Sequence, residues 1–113
     1  MDTLTLAYQF AQQSGKCDAA RLERAQALLL DQRTVILPGN RIDFPSETEG
    51  FRLLPLADES GHIQFCDCQD RRHRHAACKH DYARWLLWKA AHLHHTGRIF
   101  YHPLDGKGLL LTH

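Results

Sequence analysis

Two metal-ligand pairs lie close together in the second half of this 113-residue chain, Cys66-Asp67-Cys68 and Cys78-Lys79-His80, with nine residues between them. Thiolate and imidazole are the ligands that divalent zinc favours. A closed zinc site takes four of them at tetrahedral vertices, about 2.3 Å from sulfur and about 2.0–2.1 Å from nitrogen. If residues 62–68 form a strand, side chains two apart share a face, and Cys66 and Cys68 present their sulfurs side by side. Cys78 and His80 then stand at the start of a helix, where backbone amides favour thiolate. Two pairs from two element ends complete the tetrahedron once the intervening loop folds back. Four protein ligands leave no open position for water or substrate, so the expected role of Zn2+ is structural. The competing reading, unrelated buried thiols and a surface histidine, must account for two independent pairs at the same spacing.

Three thiolates, a neutral imidazole and a zinc ion leave one negative charge. Arg71, Arg72, Arg74 and Lys79 border the site and offset it, with Asp70 opposing. A planar guanidinium suits phosphate, so these four residues, extended by Arg84, are the candidate nucleic-acid contacts, DNA being the expected polymer. Trp85 or Tyr101 offers a surface for base stacking. The alternative is a solvated loop that merely compensates the anionic site. His73 and His75 are expected as bystanders in that loop rather than ligands. His92, His94 and His95 are expected at a solvated helix end, and Cys17 as a solitary buried or free thiol.

The elements that must position these residues follow from periodicity and turn signals. Asp18 caps an expected helix over 19–32, with Leu22, Ala25, Leu28 and Leu29 as its apolar stripe. A shorter helix over 4–12 precedes it, ended by Ser14-Gly15. From Thr34 the pattern changes to short runs between turn residues: 35–37, 41–44, 50–56 and 62–68, which together read as a small antiparallel sheet. Within 62–68, Ile63, Phe65 and Asp67 alternate with Gln64, Cys66 and Cys68. A polar loop over 69–77 leads to a helix over 79–95 whose buried face carries Tyr82, Trp85, Leu86, Lys89 (by its stem) and Leu93. Gly97 ends that helix, and 98–101 with 109–112 form a closing hairpin. The expected fold class is α+β: a helical region, 1–33, packed on a zinc-binding module, 34–113, in one domain.

The order Cys-x-Cys, short loop, Cys-x-His resembles the SWIM zinc finger, and the likeness extends over about residues 34–95. The run Gly50-Phe51-Arg52-Leu53-Leu54-Pro55-Leu56 and the run His62-Ile63-Gln64-Phe65-Cys66-Asp67-Cys68 are similar to the family's strand pair. Cys78-Lys79-His80, followed by Asp81-Tyr82-Ala83-Arg84, resembles its ligand-bearing helix start. Gln69 stands where many members carry proline. The resemblance implies zinc ligation by Cys66, Cys68, Cys78 and His80, with a role in DNA binding or protein contact.

Composition narrows the rest. At 43% hydrophobic, 24% charged and a formal charge of +1, the chain is neither collagen-like, nor transmembrane, nor a charged disordered tract. The total conceals an asymmetry: residues 1–60 sum to −3 and residues 61–113 to +4, and all nine histidines are in the second part. No signal peptide is evident at the N-terminus, so the expected compartment is the cytoplasm, where thiols stay reduced. A Gly-rich phosphate loop, a nucleophile elbow and paired carboxylates are all missing, so neither an enzyme nor a small-molecule substrate is expected. Two functions remain: a nucleic-acid-binding module accessory to repair, recombination, replication or a mobile element, and an adaptor that docks on a larger protein. Redox release of zinc is a third and lesser reading.

Overall fold

The computed structural model describes residues 3–46, 50–58, 60–92, 101–102 and 110–111. The fold is α+β. Helix α1 spans Thr3–Ser14 and α2 spans Ala19–Leu30. Asp18 caps α2 through its carboxylate, which accepts the Arg21 N–H at 3.0 Å. The α2 helix stops two residues before 32 because the Asp31 carboxylate takes the Arg33 N–H at 2.9 Å, a local bond that competes with continued helix. The Thr34 hydroxyl then donates to the Leu28 carbonyl at 2.6 Å.

Three strands follow: β1 (Val35–Leu37), β2 (Arg41–Ser46) and β3 (Gly50–Pro55), antiparallel in the order β1-β2-β3. Pairing of Leu37 with Arg41 leaves a three-residue turn in which Gly39 and Asn40 adopt positive φ. The expected fourth strand, 62–68, is absent. Several of its backbone groups pair elsewhere instead: Asp58 accepts the His62 N–H and donates its own amide to the His62 carbonyl, Asp81 accepts the Cys66 N–H, and Arg84 donates to the Gln64 carbonyl. A segment satisfied this way has no ladder to offer β3.

The expected loop over 69–77 contains a short helix, α3 (Gln69–Arg74), closed by His75 at φ 53°. Asp70 and Arg74, four apart, pair across it at 3.3 Å. Helix α4 runs Lys79–His92. Its buried face is Ala83, Leu86, Leu87 and Ala90, rotated from the expected stripe. Lys89 instead lies 4.2 Å above the Phe10 ring, Trp85 stacks on Phe10, and the Tyr82 hydroxyl accepts the Asp18 N–H. Strands β4 (Tyr101–His102) and β5 (Leu110–Leu111) pair antiparallel at the expected hairpin. Leu93, His94, His95 and Gly97 lie outside the described residues, as does the side chain of His92.

The main core joins α1, α2, the sheet and α4: Ala7, Leu22, Ala25, Ile42, Phe44 and Leu86 are all buried in it, and the α2 stripe falls there as expected. A second, smaller cluster consists of Cys66, Cys68 and Cys78. Leu54 of β3 packs against both. No helix among the described residues is long and apolar enough to cross a membrane.

Candidate metal centre

Cys66 and Cys68 come from the extended segment after β3, Cys78 precedes α4, and His80 occupies its first turn. All four are buried, and their ligand atoms lie within 4.8 Å of one another. The His80 Nδ1 faces two sulfurs, at 3.7 Å from Cys66 and 3.6 Å from Cys78. A tetrahedron with the usual zinc distances has S–N edges of about 3.6 Å and S–S edges of about 3.8 Å. Two edges therefore stand at bonding dimensions, and the longest needs to contract by about 1 Å. The group could hold a metal ion. His73 and His75 face solvent from α3 and its cap and are not among its ligands.

One carboxylate ties the two ligand segments together. Asp81 is only 3% exposed; its Oδ1 accepts the Cys66 N–H at 2.9 Å, and its Oδ2 accepts the Cys78 N–H at 3.2 Å. The second bond is half of a capping box, in which the third helical residue reaches back to the N-cap amide. The Cys68 N–H in turn donates to the Cys66 sulfur at 3.3 Å. On the far side, the Phe44 ring sits 5.5 Å from the His80 ring and connects the site to the main core.

The thiols respond to one another. The Cys66 thiol is held well below its ordinary range, first because the Cys78 thiol donates to its sulfur, with His80 and the Cys68 amide adding to the effect. Cys78 is raised, because it holds the shared proton and because burial penalises its charge. A bound cation would displace that proton, as coordination requires thiolates.

Arg84 is the largest departure from the expected site. Expected from the sequence as a nucleic-acid contact, it is fully buried. Its Nη2 donates to Asp81 Oδ1 at 2.6 Å, its Nη1 to the carbonyls of Gln64 and Pro55 at 2.7 and 2.9 Å, and its Nε to the His80 backbone carbonyl at 3.2 Å. The physical reason is charge pairing: Asp81 is itself buried, Arg84 supplies the opposite charge beside it, and Arg71 adds a second cation. The Arg71 Nε is 3.5 Å from Asp81 Oδ2, and its guanidinium lies 4.2 Å above the Phe65 ring. Arg74 is also turned inward, donating to the Ala77 carbonyl and to Asp70. Of the five basic residues, Arg72 is exposed and Lys79 half-buried. The site thus separates what the sequence grouped: Arg84 and Arg71 serve the centre, and Arg72 faces outward.

Asp70 links the centre to α2. Arg21 holds it through two bonds of 2.6 and 2.7 Å, and this guanidinium, foremost, lowers its carboxyl to about 2. Asp81 and Arg84 were legible in part: a carboxylate three residues after Cys78 fits a helix-start cap, and an arginine three residues further on fits an ion pair. Compared with known proteins, the chain matches no family model, no curated protein and no solved structure.

Proposed function

We propose that this chain is a small zinc-binding protein of SWIM-like character, in which the ion staples the 62–68 segment to the start of α4, and that the module contacts nucleic acid. The observation that carries the zinc reading is the buried group of three cysteines and one histidine, with two edges at tetrahedral length. Three sulfurs and a nitrogen suit zinc better than calcium or magnesium, which take oxygen. Four protein ligands make the ion structural, so the chain acts by binding rather than by catalysis. Arg72 and Lys79 are the residues best disposed toward phosphate; Arg71 and Arg74 reach it only by leaving their present partners. Metal content by mass spectrometry tests the first part, with one zinc per chain expected. Oligonucleotide binding at low and moderate salt tests the second: affinity that falls steeply with salt supports it, and no binding at low salt refutes it.

The adaptor reading is favoured by one observation. Phe51 and Leu53, two apart on β3, are 53% and 48% exposed, and Phe65 is 63% exposed. These exposed side chains leave an apolar face open to a partner protein, on a strand that is also at the edge of its sheet. A stable co-purifying protein, lost on Phe51→Ser, is the result expected if this surface docks.

A further inference from the structure

A cleft of about 500 Å³ opens where α2 faces the end of β2 and the start of α4. Arg24 and Asp31 line it from one face of α2 and its cap, Arg33 from the following turn, Ser46 from the end of β2, and Lys79 from α4. Its charges are unevenly matched. Asp31 is occupied by Arg33, which donates to it through Nε at 3.1 Å, Nη2 at 2.9 Å and the backbone amide at 2.9 Å. Among the described residues, Arg24 and Lys79 have no carboxylate partner. Two uncompensated cations from different elements, converging on a concave polar cleft, favour an anion with several oxygens. A cleft of this size admits a phosphate together with the group that carries it.

We propose that this cleft binds a phosphate group, with Arg24 and Lys79 as its cationic ligands. Arg33 and Asp31 offset each other, so the net positive charge of the cleft is that of Arg24 and Lys79. The phosphodiester of a nucleic-acid strand and the terminal phosphate of a small ester present the same oxygens, and the cleft suits both. The inference shares Lys79 with the proposed nucleic-acid contact and is independent of Arg72, which does not line the cleft.

The test is a titration of the 15N-labelled, zinc-loaded full chain with sodium pyrophosphate, followed by amide spectra. Saturable shifts are expected at residues 24–33, 46 and 79. Arg24→Gln, a surface change on α2, should weaken binding about tenfold or more with an unchanged melting temperature. Lys79→Gln should act likewise, with metal content measured because it neighbours two ligands, and Arg72→Gln should leave pyrophosphate binding unchanged. A short oligothymidine that shifts the same amides and is displaced by pyrophosphate identifies the phosphodiester as the source. Pyrophosphate saturation with no oligothymidine effect at these amides identifies a small phosphate ester. Absence of saturable shifts with pyrophosphate, or undiminished binding in both Arg24→Gln and Lys79→Gln, overturns the proposal. Loss of oligothymidine binding in Arg72→Gln alone, with pyrophosphate binding intact, bears only on the α3 reading and leaves the cleft supported.

Discussion

Replacing Asp81 by asparagine keeps the side chain's shape and removes its charge and half of its acceptor capacity. Oδ1 faces the Cys66 amide and Arg84; Oδ2 faces the Cys78 amide and Arg71. Whichever way the new amide turns, its NH2 meets donors. One ligand-segment N–H therefore loses its acceptor, at a cost of about 1–3 kcal/mol. Arg84 also loses its carboxylate in a fully buried position, where breaking a pair costs about 3–5 kcal/mol. Three carbonyls still accept from Arg84, so the low end of that range applies. A total near 4 kcal/mol is a large share of the ~5–15 kcal/mol that stabilises an ordinary domain. Because both ligand segments hang on this carboxylate, metal affinity should fall about 10–100-fold. Urea unfolding of the zinc-loaded protein and competition against a chromophoric chelator measure the two effects. Asp81→Asn combined with Arg84→Met should be less damaging than the sum of its parts, because the second change removes the stranded charge. Asp81→Asn within about 0.5 kcal/mol of the parent, with unaltered metal affinity, would refute the bracing role; so would strict additivity with Arg84→Met.

Three further outcomes are expected. Cys68→Ser removes one of four ligands and should abolish stoichiometric zinc and the cooperative melt of the module; a zinc-free parent that melts just as cooperatively would contradict a structural ion. Gly61→Ala should lose about 2–3 kcal/mol, read from the urea midpoint by tryptophan fluorescence, because Gly61 sits at φ +90° and a Cβ there lies 2.8 Å from the Trp88 ring. Asp70→Asn should lose about 1 kcal/mol at neutral pH, a figure discounted for a carboxylate that is 37% exposed. Since Asp70 is lowered to about 2 from 3.8, its contribution is complete above about pH 4 and fades as pH falls through about 2. The stability gap between parent and variant should therefore be flat at neutral pH and close in strong acid; a gap that widens on acidification would be inconsistent with this pair.

Much of the candidate centre was legible because its chemistry is local in sequence. Cys66, Cys68, Cys78 and His80 declare themselves by type and spacing, and the cap at Asp18 and the stripe at Leu22, Ala25 and Leu29 depend only on near neighbours. The three-stranded sheet followed from turn residues at 38–40 and from apolar runs of the right length. The segment 62–68 misled because its alternation imitates a strand, whereas its hydrogen bonds are made with Asp81 and Arg84 from a helix far along the chain. Helix α3 was hidden in a polar tract, although the Asp70–Arg74 spacing carried its signal.

The sequence by itself determined which atoms can bind a metal, since ligand identity is a property of residue type. It also set where helices begin, because a cap needs only the adjacent amides. Only the tertiary structure decided what the basic residues do. Arginine is equally at home on phosphate or beside a buried carboxylate, and the choice depends on what lies across the fold. Burial of Asp81 between two ligand segments drew in Arg84 and Arg71. Arg72 stayed outside on α3, and Arg24 and Lys79, fifty-five positions apart in the chain, met across one cleft.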